Sequence, residues 1–335
     1  MTDPFRNCFV TKTKEEEENE SILWQRYQNL VSSFPKEQGW GFENYICNYQ
    51  SFWYADKHCQ AVLAVQDHFK ARSSDIILAT NPKAGATWIK ALLFATVTRS
   101  KYPIYNHPLL SQNSHFLVPF LEIGLYNNRI PDLETLPSPR LFGTHISYTS
   151  LPQSMIDSGC RIVYLCRNPK DVFVSMWHFK NKMRERLSKI PLSIMEAFER
   201  FCNGVTHFGP FWDHVLGYWT ASLERPQNVL FIKYEELKAD PVVQLKRVAQ
   251  FVGYPFTSEE EKEGLVDEIL RLCSFENLSS LEVNKTGEAP MGKFKNEAFF
   301  RKGKVGDWDN YFTSEMIERL DKITEQKFHG YDLKL

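Results

Sequence analysis

Short apolar runs alternate along the chain with stretches in which apolar residues return every three or four positions. The runs at residues 76–79, 160–166 and 228–233 are too short for isolated helices and indicate buried strands. Helical patterns appear between them; after the first run, for example, Ile89 and Leu92 share one helix face. Strands that alternate with helices predict an α/β fold, in which helices flank the central, mainly parallel β-sheet of a single domain.

The N-terminal end of the chain lacks this pattern. Residues 1–20 are polar and contain a glutamate run at 15–18, so we expect a disordered acidic tail there. Apolar residues with helical spacing start at Ser21. The folded domain is therefore predicted over residues 21–335. Within it, residues 100–140 are rich in proline and are expected to form loops that could gate a pocket.

The first strand leads into a candidate anion site. A basic loop with Lys83 and Gly85 follows it, and a helix begins near Thr87. Free N–H groups and the dipole at a helix N-terminus favour an anion, to which Lys83 would add a charge and Thr87 a hydroxyl. The Walker pattern Gly-x-x-x-x-Gly-Lys-Ser/Thr is absent, because the lysine precedes the glycine. From these residues alone, a phosphate site and an ordinary strand–turn–helix joint with a solvated lysine are equally good interpretations.

Two further strand ends carry residues of interest. Arg167 follows the run at 160–166 and stands just before a helix with Pro169 in its first turn. It suits a second anion site, although a surface arginine paired with a carboxylate would look the same. His145 ends a short strand at 141–144, and a lone histidine in such a place is more often structural than catalytic.

Composition and charge set limits on function. The formal net charge of −1 gives no reason to expect a nucleic-acid or membrane partner. Seven cysteines without metal-type spacing indicate free thiols in a reducing compartment, and no metal site is predicted. Residues 1–30 contain no apolar signal segment, and no apolar stretch approaches membrane-spanning length. We therefore expect a soluble cytoplasmic protein.

The loop and the later motifs together resemble one family. Asn81-Pro-Lys-Ala-Gly-Ala-Thr-Trp88 is similar to the phosphosulfate loop of cytosolic sulfotransferases, usually Tyr-Pro-Lys-Ser/Thr-Gly-Thr-Thr-Trp. Thr144-His145 resembles the family's Thr-His-x-Pro, and Arg167 to Ser175 resembles Arg-Asn/Asp-Pro-x-Asp-x-x-x-Ser. Arg-Lys-Gly-x-x-Gly-Asp-Trp is also matched, at 301–308. The motifs occur in family order from about residue 40 to residue 328. The chain is thus identified as a member of the soluble, plant-type sulfotransferases, with a P-loop-like strand–loop–helix for the phosphosulfate.

The resemblance implies a reaction and a set of site residues. The family transfers a sulfuryl group from 3′-phosphoadenosine 5′-phosphosulfate (PAPS) to a hydroxyl of a small acceptor, with no metal. His145 would be the catalytic base, and Lys83 would stabilise charge on the leaving phosphate oxygen. Arg167 and Ser175 would bind the 3′-phosphate. The other donor-binding residues would be Ala84, Gly85, Ala86, Thr87, Trp88, Tyr234, Ser274, Phe275, Arg301, Lys302 and Gly303. Candidates for the acceptor pocket are Phe52, Trp53 and Phe142.

The sequence departs from the family pattern in ways that leave alternatives open. Ala84 and Ala86 replace residues with hydroxyl groups, so a member that binds PAPS or its product but transfers poorly is one alternative. A P-loop-like nucleoside kinase is another, against which the loop order and the basic segment at 301–308 argue. Gly143 stands two residues before His145, where animal relatives often have a lysine. Flavonoid, steroid-hormone, hydroxyjasmonate and desulfoglucosinolate acceptors all remain open.

Assembly can also be approached by resemblance. Animal relatives often dimerise through Lys-x-x-x-Thr-Val-x-x-x-Glu. The aligned stretch keeps Thr313 and Glu318 but has Asp309 in place of the lysine and Ser314 in place of the valine. A reversed charge and a lost apolar contact predict a monomer.

Overall fold

The structure is a computed structural model that describes residues 5, 8–9, 12–41, 43–288 and 295–335. The strands in chain order are β1 (Lys36–Gln38), β2 (Tyr45–Tyr49), β3 (Phe52–Ala55), β4 (Ile76–Thr80), β5 (Leu141–Thr144), β6 (Arg161–Cys166) and β7 (Val229–Lys233). The α-helices are α1 (Lys14–Ser32), α2 (Asp56–His68), α3 (Ala86–Thr98), α4 (Ser114–Leu117), α5 (Gln153–Asp157), α6 (Pro169–Arg186), α7 (Ile194–Cys202), α8 (Phe211–Glu224), α9 (Tyr234–Ala239), α10 (Pro241–Phe251), α11 (Ser258–Lys262), α12 (Leu265–Leu272), α13 (Phe275–Ser280), α14 (Glu282–Lys285) and α15 (Ser314–Phe328). Single turns of other helix types lie at Ile104–Asn106, Pro108–Leu110, Leu121–Leu125, Tyr148–Ser150, Asn296–Phe299 and Asp307–Asn310.

Four of these strands form a parallel sheet in the order β5-β4-β6-β7. Every residue of β4 is buried, as expected for a parallel strand with both faces covered. Ile77 and Ala79 face one apolar cluster, and Ile76 and Leu78 face another. Helices α2, α6 and α8 cover the first face, and α3, α10 and α12 cover the second. This confirms the predicted α/β domain with a parallel sheet.

The strand order sets where a ligand can enter. Strand β4 precedes both of its neighbours in the chain, so β5 and β6 lie on opposite sides of it. In open α/β sheets the connections diverge at such a strand and leave a crevice beyond its carboxyl end. Thr80 pairs with Leu165 near the ends of β4 and β6, so the segments that follow these strands meet at one edge of the sheet.

The N-terminal helix corrects the predicted disordered tail. Helix α1 begins at Lys14 rather than at Ser21, so residues 14–20 are helical. The side chain of Thr13 accepts from the N–H of Glu16, whose carboxylate accepts from the N–H of Thr13. This capping box and the glutamates of the first turn stabilise the helix start. Residues 1–4, 6–7 and 10–11 of the expected tail lie outside the described residues.

A second, antiparallel sheet was not predicted. It consists of β1, β2 and β3, and a tight turn at Gln50 and Ser51 joins β2 to β3. The N–H of Trp53 donates to the Gly209 carbonyl at 2.9 Å, and the Phe208 N–H donates to the Trp53 carbonyl at 2.6 Å. The small sheet therefore holds the loop between α7 and α8 against the parallel sheet. Among the described residues, no helix is long and apolar enough to cross a membrane.

Candidate active site

One cavity lies beyond the carboxyl ends of the parallel strands. Its volume is about 380 Å³. Lys83 reaches it from the loop after β4, His145 follows β5 directly, Arg167 follows β6 and Tyr234 follows β7. Residues far apart in sequence thus meet because their strands are parallel and end at the same edge. Every predicted catalytic or donor-binding residue except Ala84 lines this cavity.

The loop between β4 and α3 has a backbone that only some residues tolerate. Gly85 has a φ of +115°, and a Cβ there would lie 2.8 Å from Cδ2 of Tyr234. Glycine is thus required both for the left-handed conformation and for the close approach of the tyrosine. The N–H groups of Trp88 and Ile89 bond to the Gly85 carbonyl. The N–H groups of the preceding residues, 85–87, are left to point out of the helix N-terminus toward the cavity.

Ala84 is the one donor-loop residue that does not reach the cavity. Its side chain is fully buried in the apolar core, and its N–H donates to the Asn81 carbonyl at 3.2 Å. The prediction that Ala84 contacts the donor is therefore corrected, because its N–H closes the turn of the loop. A hydroxyl group missing at this position removes no group from the cavity wall, whereas Ala86 does line the cavity.

Lys83 lies near two other basic side chains, those of Arg301 and Arg167. Its Nζ lies 3.9 Å from the centre of the Phe179 ring. Burial, and then the neighbouring charges of Arg301 and Arg167, lower the pKa of Lys83 to about 7. An anion in the cavity would raise the pKa of Lys83 again, because its negative charge would stabilise the protonated lysine. The site is thus poised to gain a proton when an anion binds.

Arg167 anchors the second part of the cavity. Its guanidinium donates to the Lys304 carbonyl at 2.7 Å, pairs with Asp171 at 3.2 Å and lies over the Tyr234 ring. Its Nε is buried and has no hydrogen-bond partner among the described residues. Asp171 also accepts from the N–H of Gly306, and so ties the start of α6 to the loop at 301–308. The arginine is held in place by this loop and keeps an unsatisfied donor.

The loop at 301–308 brings two more cations to the cavity. Arg301 and Lys302 both pair with Asp307, the lysine at 2.7 Å. Arg301 Nε, like that of Arg167, is buried without a partner in the described part of the chain. Gly303 packs against Phe275, so closely that a Cβ would lie 2.5 Å from the ring. These unsatisfied guanidinium donors suit phosphate oxygens.

Flat side chains form the wall between the two basic regions. The rings of Trp88 and Tyr234 meet edge to face at 5.5 Å, and Phe275 and Ser274 also line the cavity. Ser274 uses its hydroxyl to cap α13 by accepting from the Asn277 N–H. Such a wall can hold an aromatic base.

His145 is held in one tautomer. Its Nδ1 lies 2.7 Å from the Thr80 carbonyl, which can only accept, so Nδ1 carries the hydrogen and Nε2 is free to accept a proton. Its backbone N–H donates at 2.7 Å to the buried carboxylate of Glu122, which also accepts from the Thr144 hydroxyl. Burial holds the pKa of His145 well below its usual range. The imidazole is therefore neutral and directed, as a general base must be.

Aromatic residues pack against the His145 ring. The Phe120 ring centre lies 4.3 Å away and that of Phe208 5.3 Å away. His58 and His207 are stacked, with a ring nitrogen of each 2.9 Å apart, and both line the cavity. Further apolar and amphipathic residues that line the cavity include Pro119, Ile123, Gly124, Met176, Phe179, Lys180 and Met183.

The predicted acceptor residues lie elsewhere. Phe142 is fully buried against Phe69, on the face of the sheet opposite to Gly143. Phe52 packs edge to face on His214, and Trp53 belongs to the small sheet. None of the three lines the cavity. The prediction is corrected because strand alternation turns Phe142 into the core, and the small sheet contributes through the loop it holds rather than through its own aromatic side chains.

Several residues of the site were missed by sequence reasoning. Lys90, His115 and Glu122 are all buried near the donor loop or His145. A signal for Lys90 was present, because it stands in a helix whose neighbouring positions are all apolar. No comparable signal marked the loop that carries His207 and Phe208. Among the described residues, no group of three or more His, Cys, Asp or Glu side chains could hold a metal ion.

The family is established by comparison with known proteins. The sulfotransferase domain model matches residues 73–332. Cytosolic sulfotransferase 5 of Arabidopsis thaliana is 51% identical over 316 residues, covering 93% of this chain and 97% of that protein. Cytosolic sulfotransferase 12 of the same plant is 49% identical over 316 residues, covering 93% and 94%.

Solved structures agree with the sequence relatives. A crystal structure of an Arabidopsis thaliana sulphotransferase has a TM-score of 0.74 and 42% identity, over 98% of this chain and 99% of that one. Mouse sulfotransferase SULT7A1, solved in complex with PAP, has a TM-score of 0.68 and 28% identity, over 86% and 95%. The resemblance of the loop, histidine and arginine motifs is thus confirmed over the whole domain, and the chain belongs to the plant cytosolic sulfotransferase family.

Proposed function

We propose that the protein transfers the sulfuryl group of PAPS to a hydroxyl of a small apolar acceptor. The observation that supports this most strongly is the arrangement around one cavity of a neutral, directed base and a lysine beside two further cationic groups. The base, His145, adjoins an aromatic region, whereas Lys83 adjoins the basic loops. The hydroxyl of an acceptor and the phosphosulfate of the donor could therefore meet between them.

The donor fits the residues that are present. PAPS carries two phosphate-based anions and an adenine. The N-terminus of α3 and Lys83 would hold the phosphosulfate, and Arg167 with Ser175 would hold the 3′-phosphate. The buried, unpartnered Nε atoms of Arg167 and Arg301 support this, since each needs an acceptor. Tyr234 would pack with Trp88 and Phe275 around the adenine. The PAP bound to mouse SULT7A1, the desulfated product, supports the same ligand class.

The chain contributes a base and a set of cationic donors to the chemistry. In the transfer, the acceptor oxygen bonds to sulfur as the bond from sulfur to the phosphate oxygen breaks, and the acceptor proton leaves. Nε2 of His145 takes that proton, while the Thr80 carbonyl keeps Nδ1–H in place and stabilises the imidazolium. Lys83 and the N–H groups of residues 85–87 face the oxygen that gains negative charge. These residues account for the reaction without a metal.

The acceptor region favours a compact, largely apolar body. Its walls are aromatic and aliphatic, with a polar end formed by His58 and His207. Flavonoid, steroid-hormone and hydroxyjasmonate acceptors present such bodies, whereas desulfoglucosinolates carry a sugar that would face apolar walls. We propose acceptors of the first three types, with a second oxygen directed at the histidine pair.

Binding specificity tests the proposal. We expect calorimetry to detect PAP binding and much weaker binding of ATP, which lacks the 3′-phosphate. Tighter binding of ATP would favour the nucleoside-kinase alternative. PAP release should then be measured with a panel of hydroxylated flavonoids, steroids, hydroxyjasmonate and desulfoglucosinolates. Tight PAP binding without turnover of any acceptor would favour a non-catalytic PAP-binding protein.

A further inference from the structure

A series of polar side chains lies directly behind the donor loop, and its two buried members, Lys90 and His115, have no role in the reaction described above. It begins at Lys90 in the middle of α3, passes through His115 in α4 and ends at Thr87 in the first turn of α3. Lys90 is fully buried, and His115 is 6% exposed. Buried polar groups in an apolar helix are costly unless they are paired.

The contacts join the three residues in series. Lys90 Nζ lies 3.3 Å from Nδ1 of His115, and the other ring nitrogen, Nε2, lies 3.0 Å from Oγ1 of Thr87. The hydroxyl of Ser114 donates to the Thr87 carbonyl at 2.9 Å. Helix α4 therefore bonds to both the side chain and the backbone of Thr87. The Phe120 ring covers the ammonium, with its centre 3.1 Å from Nζ.

The end of the Lys90 side chain lies directly against Gly143, which has no Cβ to displace it. A Cβ at Gly143 would lie 2.7 Å from both Cε and Nζ of the lysine. The lysine end is therefore built into the sheet edge between β5 and the donor loop. It does not line the cavity, and its one hydrogen-bond partner among the described residues is His115.

We propose that Lys90 and His115 are positioning residues that orient the Thr87 hydroxyl as a hydrogen-bond donor into the cavity. The orientation of the Thr87 hydroxyl depends on where the hydrogens of Lys90 and His115 lie. In this proposal Lys90 donates to Nδ1 of His115, which is the direction that an ammonium imposes and that a neutral amine also allows. The imidazole hydrogen then resides on Nε2 and is donated to the Thr87 oxygen. That oxygen is occupied as an acceptor, and its own hydrogen is left for an anion in the cavity.

The orientation of the Thr87 hydroxyl matters in this loop because the loop has few hydroxyl groups. Ala86 lines the cavity where the resembling loops carry a hydroxyl residue, so Thr87 is the remaining hydroxyl of the donor loop. A free hydroxyl can rotate so that its hydrogen points away from the anion. The relay, which is the hydrogen-bonded series from Lys90 through His115 to Thr87, prevents this rotation. The inference rests on the proposed function, because it assumes that the cavity binds the phosphate end of PAPS.

A double-mutant cycle with PAP as the probe separates orientation from mere support. Thr87→Val removes the hydroxyl and keeps the shape. His115→Phe keeps a ring between Phe120 and Phe299, its stacking partners, but removes both nitrogens. Thr87→Val should weaken PAP binding roughly 10- to 100-fold, as for a hydrogen bond to a charged group. His115→Phe alone should weaken it about fivefold or more, and should have almost no further effect in the Thr87→Val background.

Controls secure the interpretation. Thr96→Val removes a buried α3 hydroxyl that has no partner among the described residues, and it should leave PAP affinity unchanged. Lys90→Met, which keeps the side-chain length, should reproduce the His115→Phe effect. If Lys90→Met does not fold, the cycle of Thr87 and His115 still decides. Melting temperatures show that each variant used is folded.

The outcomes are distinct. Non-additive losses in the cycle support the relay. Additive losses, or no loss in His115→Phe, overturn it, and so does tighter binding in His115→Phe, because a hydroxyl released from the imidazole would mean that Thr87 had been donating to it. If the wild-type protein itself does not bind PAP, the proposed function fails, and this is recognised before any variant is compared.

Discussion

Binding of PAP should draw a proton from solution onto Lys83. In the empty cavity the pKa of this lysine is lowered to about 7, by burial and then by Arg301 and Arg167. The phosphates of PAP would surround Lys83 with negative charge and return its pKa toward the ordinary value of about 10.4. The lysine is therefore partly neutral before binding and fully charged afterwards.

The size of the effect follows from the titration curve. With a pKa of about 7, roughly 0.9 of the lysines are neutral at pH 8 and roughly 0.5 at pH 7. When PAP binds at pH 8, Lys83 should thus take up about 0.9 proton per site. By linkage, its Kd should rise nearly tenfold for each pH unit above pH 8, since the free protein must first be protonated. Phosphate groups, with a second pKa near 6, are already ionised there and contribute little.

Calorimetry in buffers of different ionisation enthalpy measures this proton count directly. The slope of the observed enthalpy against the buffer enthalpy gives the protons taken up. Lys83→Met should bring the uptake near zero. Lys302→Met is the matched control, because Asp307 raises the pKa of Lys302, so this lysine is charged before and after binding. Zero uptake by the wild-type protein at pH 8, or unchanged uptake in Lys83→Met, would refute the electrostatic account of the loop.

Three further predictions concern the base, the 3′-phosphate and assembly. His145→Ala should lower the rate roughly 10²–10⁴-fold while PAP affinity stays nearly intact. Because the pKa of His145 is held well below 6.5, the wild-type rate should persist to pH values well below 6.5. A fall in rate centred at or above pH 6.5 would contradict this. The same variant should lose less rate with a more acidic phenol, as competition between acceptors in one assay will show. Arg167→Ala should raise the KM for PAPS roughly 10- to 100-fold, and adenosine 5′-phosphosulfate should be a poor donor; equal use of both donors would remove the 3′-phosphate assignment. Sedimentation velocity should find a monomer, since Asp309 and Ser314 replace the lysine and the valine of the dimer motif of animal relatives; a stable dimer broken by changes at Thr313 would show the opposite.

The strand-end residues could be predicted because local sequence determines them. Lys83, His145 and Arg167 each follow an apolar run directly, and parallel strands that end at one sheet edge must bring such residues together. The positive φ of Gly85 was likewise implied by a turn before a helix. The family resemblance then assigned roles that the residues alone left open.

The other parts of the site depend on packing that no local pattern reveals. Phe142 and Gly143 are adjacent, but strand alternation sends one into the core and the other toward the donor loop, and the sequence does not say which face is which. A glutamate run such as 15–18 by itself predicts a solvated tail, whereas here the Thr13 cap makes it the first turns of α1. His115 meets Thr87 only through the tertiary position of α4, a helix of one turn.

Transfer of radiolabel from PAPS to an acceptor hydroxyl is the most direct test of the central claim. The purified protein should move label from PAPS to at least one flavonoid, steroid or hydroxyjasmonate acceptor, and should release PAP in equal amount. His145→Ala, assayed beside it with the same acceptor, should bind PAP and transfer label far more slowly. A wild-type protein that binds PAP but labels no acceptor, or a His145→Ala variant with normal turnover of a weakly acidic alcohol, would contradict the assignment of this cavity as a sulfuryl-transfer site with His145 as its base.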